Sequence, residues 1–236
     1  MAAFPETHWS LILVAAHDGQ PEAQNALATL FRTYWYPLFA YLRACGKSRD
    51  EAEDLLQGFF MHVFENQTLG RADRMKGPFR GFLIGCLKYF LSDQRDYAAA
   101  YKRGGRANFV SIDANAGETR LIADSNTDPE HDAERAFDRR WATLIMERAI
   151  NELAALYSAR PDVYRALKGF LTMSDETSYE DVAASLNVSQ AVVKTTVHRM
   201  RKQFRELLRR EVAMTVSTPH EIDDELRYLI QLLASD

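Results

Sequence analysis

Seven lysines and arginines fall between positions 194 and 210, against a single acid, Glu206. Ser189, a residue type that caps helix N-termini, opens this segment. Val193, Val197, Met200, Phe204 and Leu207 then recur at three- and four-residue steps, which predicts a helix burying that stripe. The outward residues sort into two kinds. Gln190, Ala191, Lys194, Thr195 and His198 lie near the start, where short and polar groups reach base edges. Arg199, Arg201, Lys202 and Arg205 follow and suit phosphates. Just upstream, Ser178 caps a shorter helix with Val182, Ala183 and Leu186 inward, and Asn187 tolerates the left-handed backbone of a tight turn. Cap, turn and cap at this spacing describe a helix-turn-helix, whose second helix enters the DNA major groove N-terminus first. A merely solvated basic helix, with Arg209 and Arg210 complementing its dipole, is the plainer alternative. The clustering of cations on one face favours DNA.

A second constellation lies in the first half of the chain. Ser48-Arg49-Asp50-Glu51 has the pattern of a capping box. The helix it opens carries Ala52, Leu55, Leu56, Phe59, Phe60, Val63 and Phe64 on one stripe, with Asp50, Glu53, Asp54 and Gln57 opposite. By charge alone such a face reads as solvated. A polar loop over 66–77 brings Arg71, Arg74 and Lys76 to Pro78, where another helix starts and runs to about Tyr101. That helix buries Phe79, Phe82, Leu83, Cys86 and Phe90, and it carries Arg80, Lys88, Tyr89, Arg95, Lys102 and Arg103. Cations and an aromatic ring beside a loop are what holding an unstacked base requires.

Catalytic chemistry has little to stand on. The six histidines are scattered singly, with no HExxH, nucleophile elbow, P-loop or GxGxxG, so no enzyme, metal or cofactor site is expected. His62 reads as an ordinary boundary histidine. Cys45 and Cys86 form no CxxC pair and read as buried small apolar residues in a reducing cytoplasm. The first residues lack the basic region of a signal peptide, and no apolar run is long enough to span a bilayer.

The elements that must position these residues all carry helical period, and no alternating stretch suggests a sheet. Apolar residues at 47% and charged residues at 26% describe a globular chain, and a net charge of −4 means that any DNA-binding cations act locally. The fold expected is all-α: an N-terminal helical domain over 1–106, an acidic flexible linker over 107–133, a helix-turn-helix domain over 134–212, and a helical extension over 213–236. Asp18-Gly19-Gln20-Pro21 releases the first long helix, in which Pro37 should produce a kink and which Gly46 ends. Ser217-Thr218-Pro219 should cap the last, with Ile222, Leu226, Leu229, Ile230 and Leu233 as its stripe and Glu221, Asp223, Asp224 and Glu225 in its first turn. Its role is either to seal the second domain or to bridge to the first.

Together these motifs resemble the extracytoplasmic-function (ECF) group of bacterial sigma factors, over residues 26–106 and 137–211. The stretch from Ser48 to Phe60 is similar to that family's polymerase-docking helix, Phe79–Leu83 through Arg95 to its −10-reading helix, and Tyr179–Arg201 to its −35-reading motif. Phe82 stands where the family commonly has tryptophan, and Lys88-Tyr89 where it has arginine and asparagine. The resemblance implies a protein without catalysis of its own, acting on promoter DNA and on core RNA polymerase at the beta-prime clamp and the beta flap. An anti-sigma regulator is a further partner it implies. Asp50, Glu53, Asp54 and Gln57 would then meet the clamp. The rival reading is a stand-alone helix-turn-helix regulator with an N-terminal effector or dimerisation domain.

Overall fold

A computed structural model describes residues 12, 14–15, 21–73, 76–104, 129–171, 178–216 and 218–234 of the 236. Among these the fold is all-α, without a strand. Helix α1 spans Pro21–Ala44 with Pro37 inside it, and α2 spans Arg49–Glu65. A 3-10 turn, Thr68–Arg71, interrupts the loop before α3, Phe79–Gly104. The second half comprises α4 (Pro129–Leu156), α5 (Pro161–Leu167), a 3-10 turn (Lys168–Leu171), α6 (Tyr179–Leu186) and α7 (Gln190–Ala213). A 3-10 turn at Pro219–Glu221 leads into α8, Ile222–Ala234. No helix of the described residues is long and apolar enough to cross a membrane.

Local chemistry sets several of these boundaries. Ser48 Oγ accepts from the Glu51 amide at 3.2 Å while the Glu51 carboxylate accepts from the Ser48 amide at 2.8 Å, so both halves of the capping box form. Those bonds hold the Glu51 carboxyl below its usual pKa. Gly46, at φ +79°, takes the left-handed backbone that ends α1.

Packing departs from the linear reading in informative places. The expected linker ends before residue 133, because Pro129 starts α4 and Ala133 is already fully buried. Residues 105–128 lie outside the described residues. Helix α4 then serves two cores. Its first half puts Ala133, Phe137, Trp141 and Ile145 into one cluster with Tyr34, Leu38, Phe59, Phe79 and Leu87 from α1, α2 and α3. Its second half gives Ala149 and Leu153 to a cluster with Leu167, Phe170, Val182, Val193 and Met200. Leu229 and Leu232 of α8 join the first cluster, not the second, as do Val212 and Val216.

Four apolar assignments change. Phe64 is 51% exposed and Ile230 54%, because each lies at the edge of its helix's apolar arc, while Leu87 of α3 and Leu232 of α8 are buried. Cys45 is exposed, because it falls past the last turn of α1, and Cys86 is half-buried at the edge of a groove.

Arg148 of α4 joins α1 to α7. Its Nη2 donates to Thr33 Oγ1 at 2.9 Å, and Nη1 lies 3.8 Å from Glu211 Oε2. Glu211 is buried, and burial pushes its carboxyl above the ordinary value despite Arg148 and Arg210. A carboxyl raised in the folded state holds its proton more tightly there than in the unfolded chain. The stability it contributes is therefore full below the unfolded pKa and lost as pH rises through the raised value. Glu211→Gln should remove that loss. Thermal unfolding between pH 4 and 8 is expected to show a Tm gain of about 2–4 °C at neutral pH that vanishes near pH 4, if the buried charge costs about 1 kcal/mol.

Candidate nucleic-acid and docking surfaces

The helix-turn-helix is assembled by its caps. Ser178 Oγ accepts from the Glu180 amide at 3.1 Å, Asn187 takes φ 52° and ψ 47°, and Ser189 Oγ accepts from the Val192 amide at 3.4 Å. Val182 and Ala183 face Val193, Val197 and Met200 in the second core. With that face inward, Gln190, Ala191, Lys194, Thr195, His198, Arg199, Lys202 and Arg205 are all exposed along α7. The Lys194 ammonium lies 5.7 Å from the centre of the Tyr179 ring, which stacks on Phe170 at 4.4 Å. Arg201 differs from its neighbours. It is exposed as they are, but its Nε and Nη2 donate to the Phe170 carbonyl at 3.1 and 2.8 Å, so this side chain ties α7 to the 3-10 turn before α6.

The residues expected to meet the −10 element divide into three groups. Arg71 and Tyr89 meet at an open groove of about 570 Å³ between the α2–α3 loop and α3, large enough for a base. Phe82 and Cys86, both half-buried, line it as well, while Phe79 is core. Burial raises the Cys86 thiol, and Arg71 works against that shift. Lys76 and Arg95 are exposed outside this lining. Arg80 and Lys88 are engaged by acids. Arg80 is held by Glu225 and Asp138, and Lys88 Nζ lies 2.6 Å from Glu134 Oε1. Arg74 and the side chains of Lys102 and Arg103 lie outside the described residues.

Sequence reasoning missed five groove residues: Thr68, Gly85 and the acid Asp93 line it, as do His62 and Asn66, and the Asn66 amide nitrogen donates to the His62 carbonyl at 3.0 Å. For His62 and Asn66 the four-residue spacing was the available signal, since it puts the cap residue of α2 on the same side as His62 in its last turn.

On the opposite side, Asp50, Asp54 and Gln57 are exposed and Glu53 is half-buried, 3.0 Å from Arg49 Nε. A smaller groove of about 290 Å³ adjoins them, lined by Trp35, Tyr36 and Phe39 of α1 together with Arg43, Arg49 and Glu53. Those aromatics were unremarked in the linear reading because they share the first helix with its core residues. Charge flanking a row of partly open aromatic rings is the composition of a protein-docking surface.

Compared with protein-family models, with curated proteins and with solved structures, the chain matches none.

Proposed function

We propose that the chain is an alternative sigma factor of ECF type, which binds core RNA polymerase and directs initiation at specific promoters without catalysis of its own. The observation that carries this reading is that one chain pairs a capped helix-turn-helix with an open groove beside α3. A capped helix-turn-helix exposes amide, hydroxyl and ammonium groups suited to duplex DNA, and the groove beside α3 offers rings, an amide and a guanidinium suited to an unstacked base. A duplex reader alone has no use for the second. In this reading α2 meets the beta-prime clamp through Asp50, Glu53, Asp54 and Gln57, the helix-turn-helix half meets the beta flap and the −35 element, and an anti-sigma protein is a candidate regulator. The protein acts in the cytoplasm. The rival, a stand-alone helix-turn-helix regulator, draws support from the core that α1 and α4 share, which makes the N-terminal half a structural partner of the reader.

Reconstitution separates the two. The purified chain with core polymerase should initiate from selected members of a randomised promoter library, and a stand-alone regulator should bind them without polymerase. Asp54→Arg should reduce co-purification with core enzyme at least about tenfold by opposing the clamp's charge. An exposed site should shift stability by only about half a kcal/mol. Unchanged co-purification would sink the docking assignment.

A further inference from the structure

Two cations of α3, Arg80 and Lys88, are held by carboxylates of the same chain. Arg80 Nη1 and Nη2 donate to the two oxygens of Glu225 on α8 at 2.5 and 2.9 Å, and Nε lies 3.2 Å from Asp138 on α4. All three side chains are nearly shut off from solvent, with exposures of 12%, 11% and 15%. Burial works against the charge of Arg80, and Glu225 and Asp138 more than restore it, so its pKa is raised overall. Tyr228 of α8 donates to the other Asp138 oxygen at 2.5 Å, completing a chain from α3 through α4 to α8. Two turns along α3, Lys88 is met by Glu134, one turn before Asp138 on α4. At the other flank Asp223 pairs with Arg209 of α7.

A bidentate carboxylate presents two oxygens to a guanidinium fork in the geometry a phosphate would use. Glu134, Asp138 and Glu225 thus occupy Arg80 and Lys88 in the manner of a nucleic-acid backbone, while Arg95 stays exposed. Helix α8, which carries Glu225, is short, and it is anchored by Leu229 and Leu232 with Ile222, Leu226 and Leu233 only partly buried.

We infer that α8, with the first turns of α4, is a built-in phosphate mimic that withholds Arg80 and Lys88 of α3 from a nucleic-acid backbone until α8 is displaced. The inference rests on the reading of α3 as a nucleic-acid surface and adds a regulator to it. Arg80 becomes available only in the opened chain, and the Asp223–Arg209 pair ties that opening to the helix that carries the duplex reader.

The test uses the full-length chain without polymerase, Glu225→Gln and Glu134→Gln singly and together, and a fluorescent single-stranded 20-mer of mixed sequence as probe. Two signals are read: hydrogen exchange of α8 amides and oligonucleotide anisotropy. The expected result is faster exchange in α8 with affinity raised roughly 5–150-fold, the range of ordinary coupling between sites. Adding Arg80→Ala to Glu225→Gln should abolish the gain. Faster exchange without any gain would show that the freed Arg80 takes up no phosphate and would overturn the latch, while the groove of Arg71 and Tyr89 and the functional reading built on it are tested separately by the polymerase reconstitution. Unchanged exchange and unchanged affinity would overturn the latch alone. A gain that survives Arg80→Ala would do the same, because the carboxylate would then be repelling DNA rather than occupying Arg80.

Discussion

Trp141→Ala is expected to lower Tm by about 6–20 °C and to loosen both halves of the chain together. The ring is fully buried, and it stacks on Tyr34 of α1 with centroids 5.0 Å apart and planes 7° from parallel. Tyr34 in turn meets Phe79 of α3 edge-on at 5.4 Å. Burial holds the Tyr34 hydroxyl above its usual pKa, so it stays neutral under all ordinary conditions. Truncating a buried tryptophan costs about 3–5 kcal/mol, and a chain of this size loses about 2–4 °C per kcal/mol. Against a total stability of about 5–15 kcal/mol this is a large fraction. The more telling part is where the loss spreads. Because α4 runs from the first core into the second, exchange should accelerate in α1 and in α6 alike, and calorimetry should show one shifted transition. A variant whose helix-turn-helix keeps its original protection would mean that the halves fold as separate units, and the continuity of α4 would carry no energetic weight.

That helix also marks the limit of what the linear chain displays. Ser48, Ser178, Asn187 and Ser189 could be placed from sequence because a cap acts within three or four residues, and in the structure each sits at the terminus its type requires. Phe137 and Trp141 were legible as apolar and periodic. Nothing local says that they face Tyr34 and Phe79 rather than Leu153 and Leu167, since periodicity names a buried face and not the neighbour that buries it. Phe64 and Ile230 failed for a related reason: each sits at the edge of its helix's apolar arc, and periodicity does not say how far round the helix its neighbours reach. Arg80 was legible as a cation on a helix with aromatic neighbours. Its partner lies 145 residues away on α8, a pairing that charge patterning cannot anticipate. The groove beside α3 was half visible, through Arg71 and Tyr89, because His62 and Asn66 come from the end of another helix.

The same distinction, between outward residues and residues with a neighbour, divides the recognition helix into parts with different mutational signatures. Lys194 and Thr195 lie in the first two turns of α7, the end that enters a groove first, and Thr195 Oγ1 donates to the Ala191 carbonyl at 2.9 Å, which orients its hydroxyl. On polymerase-bound chain, Lys194→Ala or Thr195→Ala should change preference at particular base pairs by about 1–3 kcal/mol and leave other positions untouched. Lys202 lies farther along, 70% exposed and 3.9 Å from Glu206, so little holds it back from a phosphate. Lys202→Ala should weaken binding across all sequences and reduce the slope of log affinity against log salt by roughly one unit. Arg201 separates this picture from a simple count of cations. It carries the same charge one residue away, yet both of its bonds end on the Phe170 carbonyl. Arg201→Ala should therefore lower Tm and weaken every contact of the helix-turn-helix, with a salt slope close to that of the wild type. A base-preference screen run at three salt concentrations reads all of these variants at once. If Lys194, Lys202 and Arg201 give the same slope change and the same uniform loss, the helix binds by charge alone and the division between base-reading and phosphate-binding residues is wrong.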